Sequence, residues 1–200
     1  MSEHALNFLL ETEIISKKIR KEDIDKVTEI VFQTKKKKGR IFFLGLGGSA
    51  ANCSHAVNDF RKIANIECYT PTDNAAELTA RINDEGWESV FVNWLKQSNL
   101  KENDIIFILS VGGGNLEKKI SINLVAAIDF CKENNVKVVG IVSRDGGYTK
   151  TKADACIMIP VVSDENLTPH AESWQAIVWH LIVTDPRIKS NSNKWESIDK

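Results

Sequence analysis

Ile41-Phe42-Phe43-Leu44-Gly45-Leu46-Gly47-Gly48-Ser49-Ala50-Ala51 runs from four apolar residues through glycines into a small-residue stretch with helical character. A continuous apolar run closed by glycine reads as a strand buried on both faces, since a half-solvated strand would alternate. The unit recurs. Ile105-Ile106-Phe107-Ile108-Leu109 leads into Ser110-Val111-Gly112-Gly113-Gly114-Asn115, and Val138-Val139-Gly140-Ile141-Val142 leads into Ser143-Arg144-Asp145-Gly146-Gly147. Cys156-Ile157-Met158-Ile159 is a further run, and Cys68-Tyr69-Thr70 a short one. Helical segments are expected over 49–63, 74–82, 87–97, 115–133 and 169–184. Strands alternating with helices predict an α/β fold: a three-layer, doubly wound parallel sheet whose ligand crevice lies beyond the carboxyl ends of the strands.

Outward from this core, Leu6, Leu9, Leu10 and Ile14 repeat with helical spacing, and so do Ile24, Val27, Ile30 and Val31, so residues 1–38 read as two helices. The run Lys35 to Lys38 complements a helix dipole at its C-terminus. Residues 39–185 form the core and 186–200 a polar tail, in which Trp195 is a candidate anchor on a neighbouring subunit. With 200 residues, 42% of them hydrophobic, one domain burying roughly 70% of its unfolded surface is the default. Lys and Arg total 26 against 27 Asp and Glu, a net charge of -1, so no global field draws the chain to nucleic acid or anionic lipid. Four dispersed cysteines form no Cys-x-x-Cys pair and read as reduced, mostly buried thiols. The chain shows neither a signal-peptide pattern nor the ~20 apolar residues that span a bilayer, and a cytoplasmic location is expected.

Loops of this composition have a chemical use. Glycines admit a ligand close to the backbone, and free N–H groups at a helix start favour an anion or a sugar oxygen. Gly47, Gly48 and Ser49 form one candidate wall. Ser110, Gly112, Gly113, Gly114 and Asn115 form a second, where three consecutive glycines argue for close approach of a ligand. Ser143 to Gly147 either adds a third wall or caps the sheet edge. The first loop is neither a dinucleotide fingerprint nor a Walker loop, because Ala50 stands where a third glycine would fall and no Lys-Ser/Thr pair follows.

Two helices add side-chain chemistry. His55 and Asp59, four residues apart, share a helix face; Glu172, Ala176 and His180 form a stripe on the last helix. One imidazole and one carboxylate from each helix suit a divalent metal or a general acid–base pair. Asp73-Asn74 and Thr168-Pro169 read as helix starts, and Asn83-Asp84-Glu85-Gly86 as a turn. Trp174 and Trp179 read as core or interface aromatics, while His170 and Gln175 have no evident partner.

These residues resemble the SIS-domain proteins of the sedoheptulose 7-phosphate isomerase (phosphoheptose isomerase) family. The resemblance rests on Gly45-x-Gly47-Gly48-Ser49-Ala50-Ala51 with His55 six positions after the serine, on Asn83-Asp84-x-Gly86, on the 110–115 loop, on Arg144-Asp145-Gly146-Gly147 and on His180. It implies a flavodoxin-like sheet, a homotetramer with sites at subunit interfaces, and ketose–aldose interconversion of a phosphorylated sugar. It further implies one zinc or similar divalent ion per subunit at His55, Asp59, Glu172 and His180. Asp59 and His180 would be the catalytic pair, with Asn83, Asp84, Glu172 and the two glycine loops binding substrate. The chain departs from the family pattern at several points. Asp59 and Glu172 replace glutamate and glutamine, Leu46 an asparagine and Gln175 a histidine, and of the hydroxyls in the family's phosphate loop only Ser110 remains. That depletion leaves a non-catalytic sugar-phosphate-binding or initiator-associating protein as the alternative, or an enzyme acting on another phosphosugar or a nucleotide-linked sugar.

Overall fold

The computed structural model describes residues 2–198; Met1 and the last two positions of the expected tail lie outside the described residues. Five strands form one parallel sheet: β1 (Ile41–Leu44), β2 (Cys68–Tyr69), β3 (Ile105–Leu109), β4 (Lys137–Val142) and β5 (Ala155–Met158), in the order β2-β1-β3-β4-β5. Register aligns Ile41 with Ile105 and Ile105 with Lys137. The helices are α1 (Glu3–Lys18), α2 (Lys21–Lys36), α3 (Gly48–Lys62), α4 (Ala75–Glu85), α5 (Val90–Gln97), α6 (Ile122–Glu133), α7 (Gly147–Lys152) and α8 (Leu167–Val183). The expected three-layer, doubly wound α/β architecture is present.

Alternation within the strands divides the core in two. Phe43 and Phe107 point to the layer of α2, α3 and α8, whereas Phe42, Leu44, Ile106 and Ile108 point to that of α5 and α6. Asp104, buried before β3, accepts from the Arg40 backbone N–H at 2.8 Å and from its guanidinium at 2.7 Å, which pins the starts of β1 and β3 together. Caps explain several helix starts: the Ser2 hydroxyl accepts from the Ala5 N–H, and the Asn74 side chain from the Glu77 N–H. Cys53, Cys68 and Cys131 are buried free thiols, and Cys156 is half-buried. No helix among the described residues is long and apolar enough to cross a membrane.

Three local expectations need correction. Residues 115–121 are not helical: Asn115 and Ile120 pair as an antiparallel bridge, so α6 begins only at Ile122 and the second glycine loop does not open a helix. Residues 147–152, polar and without apolar period, form the short α7. The last helix starts at Leu167 with Asn166 as its cap, placing Thr168 and Pro169 inside its first turn.

Candidate functional site

Connectivity places the first two glycine loops at the switch point of the sheet. The chain leaves β1 toward α3 on one face, and leaves the neighbouring β3 toward α6 on the other. The two loops then do different things. Gly47, at φ 59°, is exposed with no atom near the position of a β-carbon, so its face stays open to the crevice. Gly48 is also exposed, but the Glu172 carboxylate lies against one side of it, and any β-carbon there would collide with that carboxylate. Ser49 is buried, its hydroxyl accepting from Gln175 Nε2 at 3.1 Å. Asn52 donates to Gln175 Oε1 at 3.0 Å and to the Glu172 carbonyl at 2.9 Å, so Gln175 locks α3 to α8.

In the second loop, one of the glycines is explained by the fold itself. A β-carbon on Gly113 would overlap the Gly146 carbonyl, and one on Gly147 would meet the Gly112 and Gly114 carbonyls. At Gly113 the close approach is therefore to the third loop, which leaves Gly112 as the glycine beside open space. Thr149 donates to the Gly113 carbonyl from its N–H at 2.9 Å and its hydroxyl at 2.7 Å, and the Tyr148 N–H donates to the Gly114 carbonyl. The Ser110 hydroxyl accepts from the Gly113 N–H at 3.0 Å, and Asn115 Oδ1 accepts from the Lys118 N–H. Gly112 remains half-exposed, with Arg144 Cδ beside it. A cleft of about 450 Å3 opens next to it, lined by Val111, Arg144 and Thr168 with Asp164 and Glu165. Asn83 and Asp84 lie exposed on the last turn of α4.

The metal-capable set assembles in part. His55, Asp59 and His180 offer donor atoms that all lie within 4.8 Å of one another. Asp59 Oδ2 is 3.5 Å from His180 Nε2 and 3.8 Å from His55 Nε2. The His180 Nδ1–H donates to the Ala176 carbonyl at 2.7 Å, so Nε2 keeps its lone pair and faces the carboxylate. Buried Trp179 backs the cluster, with its ring edge-on to His55 at 4.8 Å and stacked on His180 at 3.5 Å. Glu172, expected as a fourth ligand, does not join: it stands eight residues before His180, about 12 Å along the helix, and its side chain turns to Gly48. The cluster sits about 10–16 Å down α3 from the glycine loop, on the exposed side of α3 and α8.

Two partnerships were not expected from sequence. Gln175 has no charge or motif to mark it. His170 is buried, stacks on Phe8 at 4.3 Å, and shares a hydrogen bond of 2.7 Å with Glu11, which also accepts from Asn166. These contacts span more than 150 residues of chain, beyond the reach of any local pattern.

Comparison with known proteins agrees with this architecture. Residues 9–143 match the family model described as SIS domain. The lincomycin biosynthesis protein LmbN of Streptomyces lincolnensis is 30% identical over 164 residues, covering 77% of this chain; the chain spans 58% of that protein's length. A phosphoheptose isomerase of Akkermansia muciniphila is 29% identical over 167 residues, 80% of this chain and 82% of the relative. Among solved structures, phosphoheptose isomerase GmhA from Neisseria gonorrhoeae superposes with a TM-score of 0.76 at 21% identity, over 90% of this chain and 92% of that one. With its switch-point loops, its parallel sheet and a family match over more than half its length, the chain belongs to the SIS-domain family, beside the phosphoheptose isomerases.

Proposed function

We propose that the chain is a phosphosugar isomerase that interconverts ketose and aldose forms of sedoheptulose 7-phosphate or a related heptose phosphate. The convergence of His55, Asp59 and His180 carries the reading. Zinc or a similar divalent ion fits this donor set. Ligands bound tetrahedrally at about 2.0–2.2 Å stand roughly 3.3–3.6 Å apart, and the Asp59 to His180 separation is 3.5 Å. When bound, such an ion supplies Lewis-acid polarisation of the sugar carbonyl.

The chain's own groups perform the proton movements. The Asp59 carboxylate removes the proton from the carbon next to the carbonyl through the oxygen not engaged with an ion and returns it to the neighbouring carbon, while His180, whose Nε2 would be a metal ligand, steadies the charge that develops on the sugar oxygen. The Ala176 carbonyl holds the imidazole ring in orientation. The proposed substrate-facing groups are those of the two glycine loops with Asn83, Asp84 and Glu172, and the openness of Gly47 and Gly112 supports that assignment. His55 and His180 are open to solvent, and the site's second wall is assigned to another subunit of a homotetramer; a cytoplasmic location belongs to the same reading. Exposed Ile177 and Leu181, flanking His180 on α8, support the subunit contact.

Proton exchange at the carbon next to the carbonyl, followed by NMR in heavy water with a panel of phosphosugars, tests the reaction. Exchange is expected with a seven-carbon ketose phosphate; none with any sugar would hand the chain to the binding-protein reading. His180→Ala is expected to lower turnover by about 10²–10⁴-fold and to strip most bound metal. Equal metal content in wild type and variant, measured by elemental analysis, would refute the metal assignment.

A further inference from the structure

Away from the cluster and the glycine loops, a cavity of about 610 Å3 opens along the edge strand β5. Five cationic residues from five separate places in the chain line it: Lys18 at the end of α1, Arg20 in the following turn, Lys26 on α2, Arg144 after β4, and Lys150 on α7. In a chain of net charge -1 this is a local concentration of one sign, five cations against the two carboxylates, Asp23 and Asp154, that line the same cavity. Asp23 forms ion pairs with Arg20 at 3.6 Å and Lys26 at 3.8 Å, and Glu22 with Arg20 at 3.9 Å, which offsets those two cations. Asp154 is already engaged by Lys132 at 3.0 Å and by the Val138 N–H. Among the described residues, Lys18, Arg144 and Lys150 have no carboxylate partner. Converging like charges without partners is unfavourable unless an anion completes them. Arg144 adds a second sign of function, since it holds φ 54°, a backbone conformation that costs a non-glycine residue of order 1–3 kcal/mol.

The cavity is also amphipathic. Met158, Pro160 and Val161 give it an apolar side, with Ile159 buried behind them, a surface suited to a flat ring rather than to an inorganic ion. Its volume lies within the range of small-molecule sites. We infer that this cavity is a second ligand site, separate from the proposed isomerase site, for an organic anion carrying two or more phosphates, of the nucleoside diphosphate class. Arg144 lines both this cavity and the cleft beside Val111 and Gly112, so the two sites share one side chain.

Isothermal calorimetry with ADP on the intact protein at low ionic strength tests this without sugar or turnover, so its outcome is independent of whether the chain isomerises anything. ADP is expected to bind with a dissociation constant below about 1 mM and more tightly than inorganic diphosphate. The double variant Lys18→Gln/Lys150→Gln, two exposed residues outside the proposed isomerase site, is expected to weaken binding roughly tenfold or more through loss of two charge-assisted contacts. Absence of binding, equal affinity in the double variant, or diphosphate binding as tightly as ADP would overturn the inference.

Discussion

Gln175 shows how much a single neutral side chain can hold. It is wholly buried, receives from Asn52, gives to Ser49, and so joins the start of α3 to the middle of α8. Replacing it with leucine, similar in size but without hydrogen-bonding atoms, leaves the buried Ser49 hydroxyl without its donor and removes one of the two acceptors of Asn52. Gln175→Leu is expected to cost about 1–3 kcal/mol for each group left unsatisfied, read from the urea midpoint at constant slope. A cost below about 0.5 kcal/mol would mean that water reaches the pair. Tyr148 illustrates the opposite sign of coupling: its hydroxyl donates to Asp129 at 2.6 Å, and that hydrogen bond, with some burial, raises its pKa to about 12.

At the scale of elements, α1 is attached through one polar junction. Glu11 accepts from His170 and Asn166, and the hydrogen bond from His170, more than that from Asn166, holds its carboxyl below the ordinary value of 4.5. A carboxyl depressed in the folded state contributes stability above its unfolded value and loses it as pH falls through the folded one. Wild type is therefore expected to lose stability more steeply than Glu11→Gln as pH drops below 4.5, measured by urea unfolding across that range. Parallel curves would show that the junction does not couple to folding. Strand runs such as Ile105–Leu109 were legible because burial on both faces leaves no polar alternation to confuse them. His55, Asp59 and His180 were legible because two helical spacings fix which side chains share a face. The direction of a long side chain is not fixed by spacing, and so Glu172 was placed at the metal when it lies on Gly48. Nor does a glycine run declare what approaches it: Gly113 admits the neighbouring backbone of Gly146, a contact that only the assembled sheet creates.

For the whole molecule, the decisive feature is apolar surface left uncovered. Leu6, Leu9, Leu10 and Ile14 repeat along α1 at helical intervals, yet all four are exposed and only Ile15 of that helix is buried. A stripe of this kind suits association, and in the proposed homotetramer its self-complementary partner would be another α1. The proposed isomerase site has the same need from the other direction, because His55, Asp59 and His180 face outward with no second wall. If the proposed tetramer forms through α1, Leu9→Glu/Leu10→Glu is expected to shift wild-type oligomer to monomer by light scattering, with unchanged far-UV circular dichroism since both side chains are exposed. Metal content should survive, because all three donors come from one chain. Isomerase activity should fall by at least about 10²-fold as the site loses its wall and its positioning. An oligomer that persists, or a monomer that remains fully active, would separate the catalytic cluster from assembly and return the missing wall to this chain's own loops.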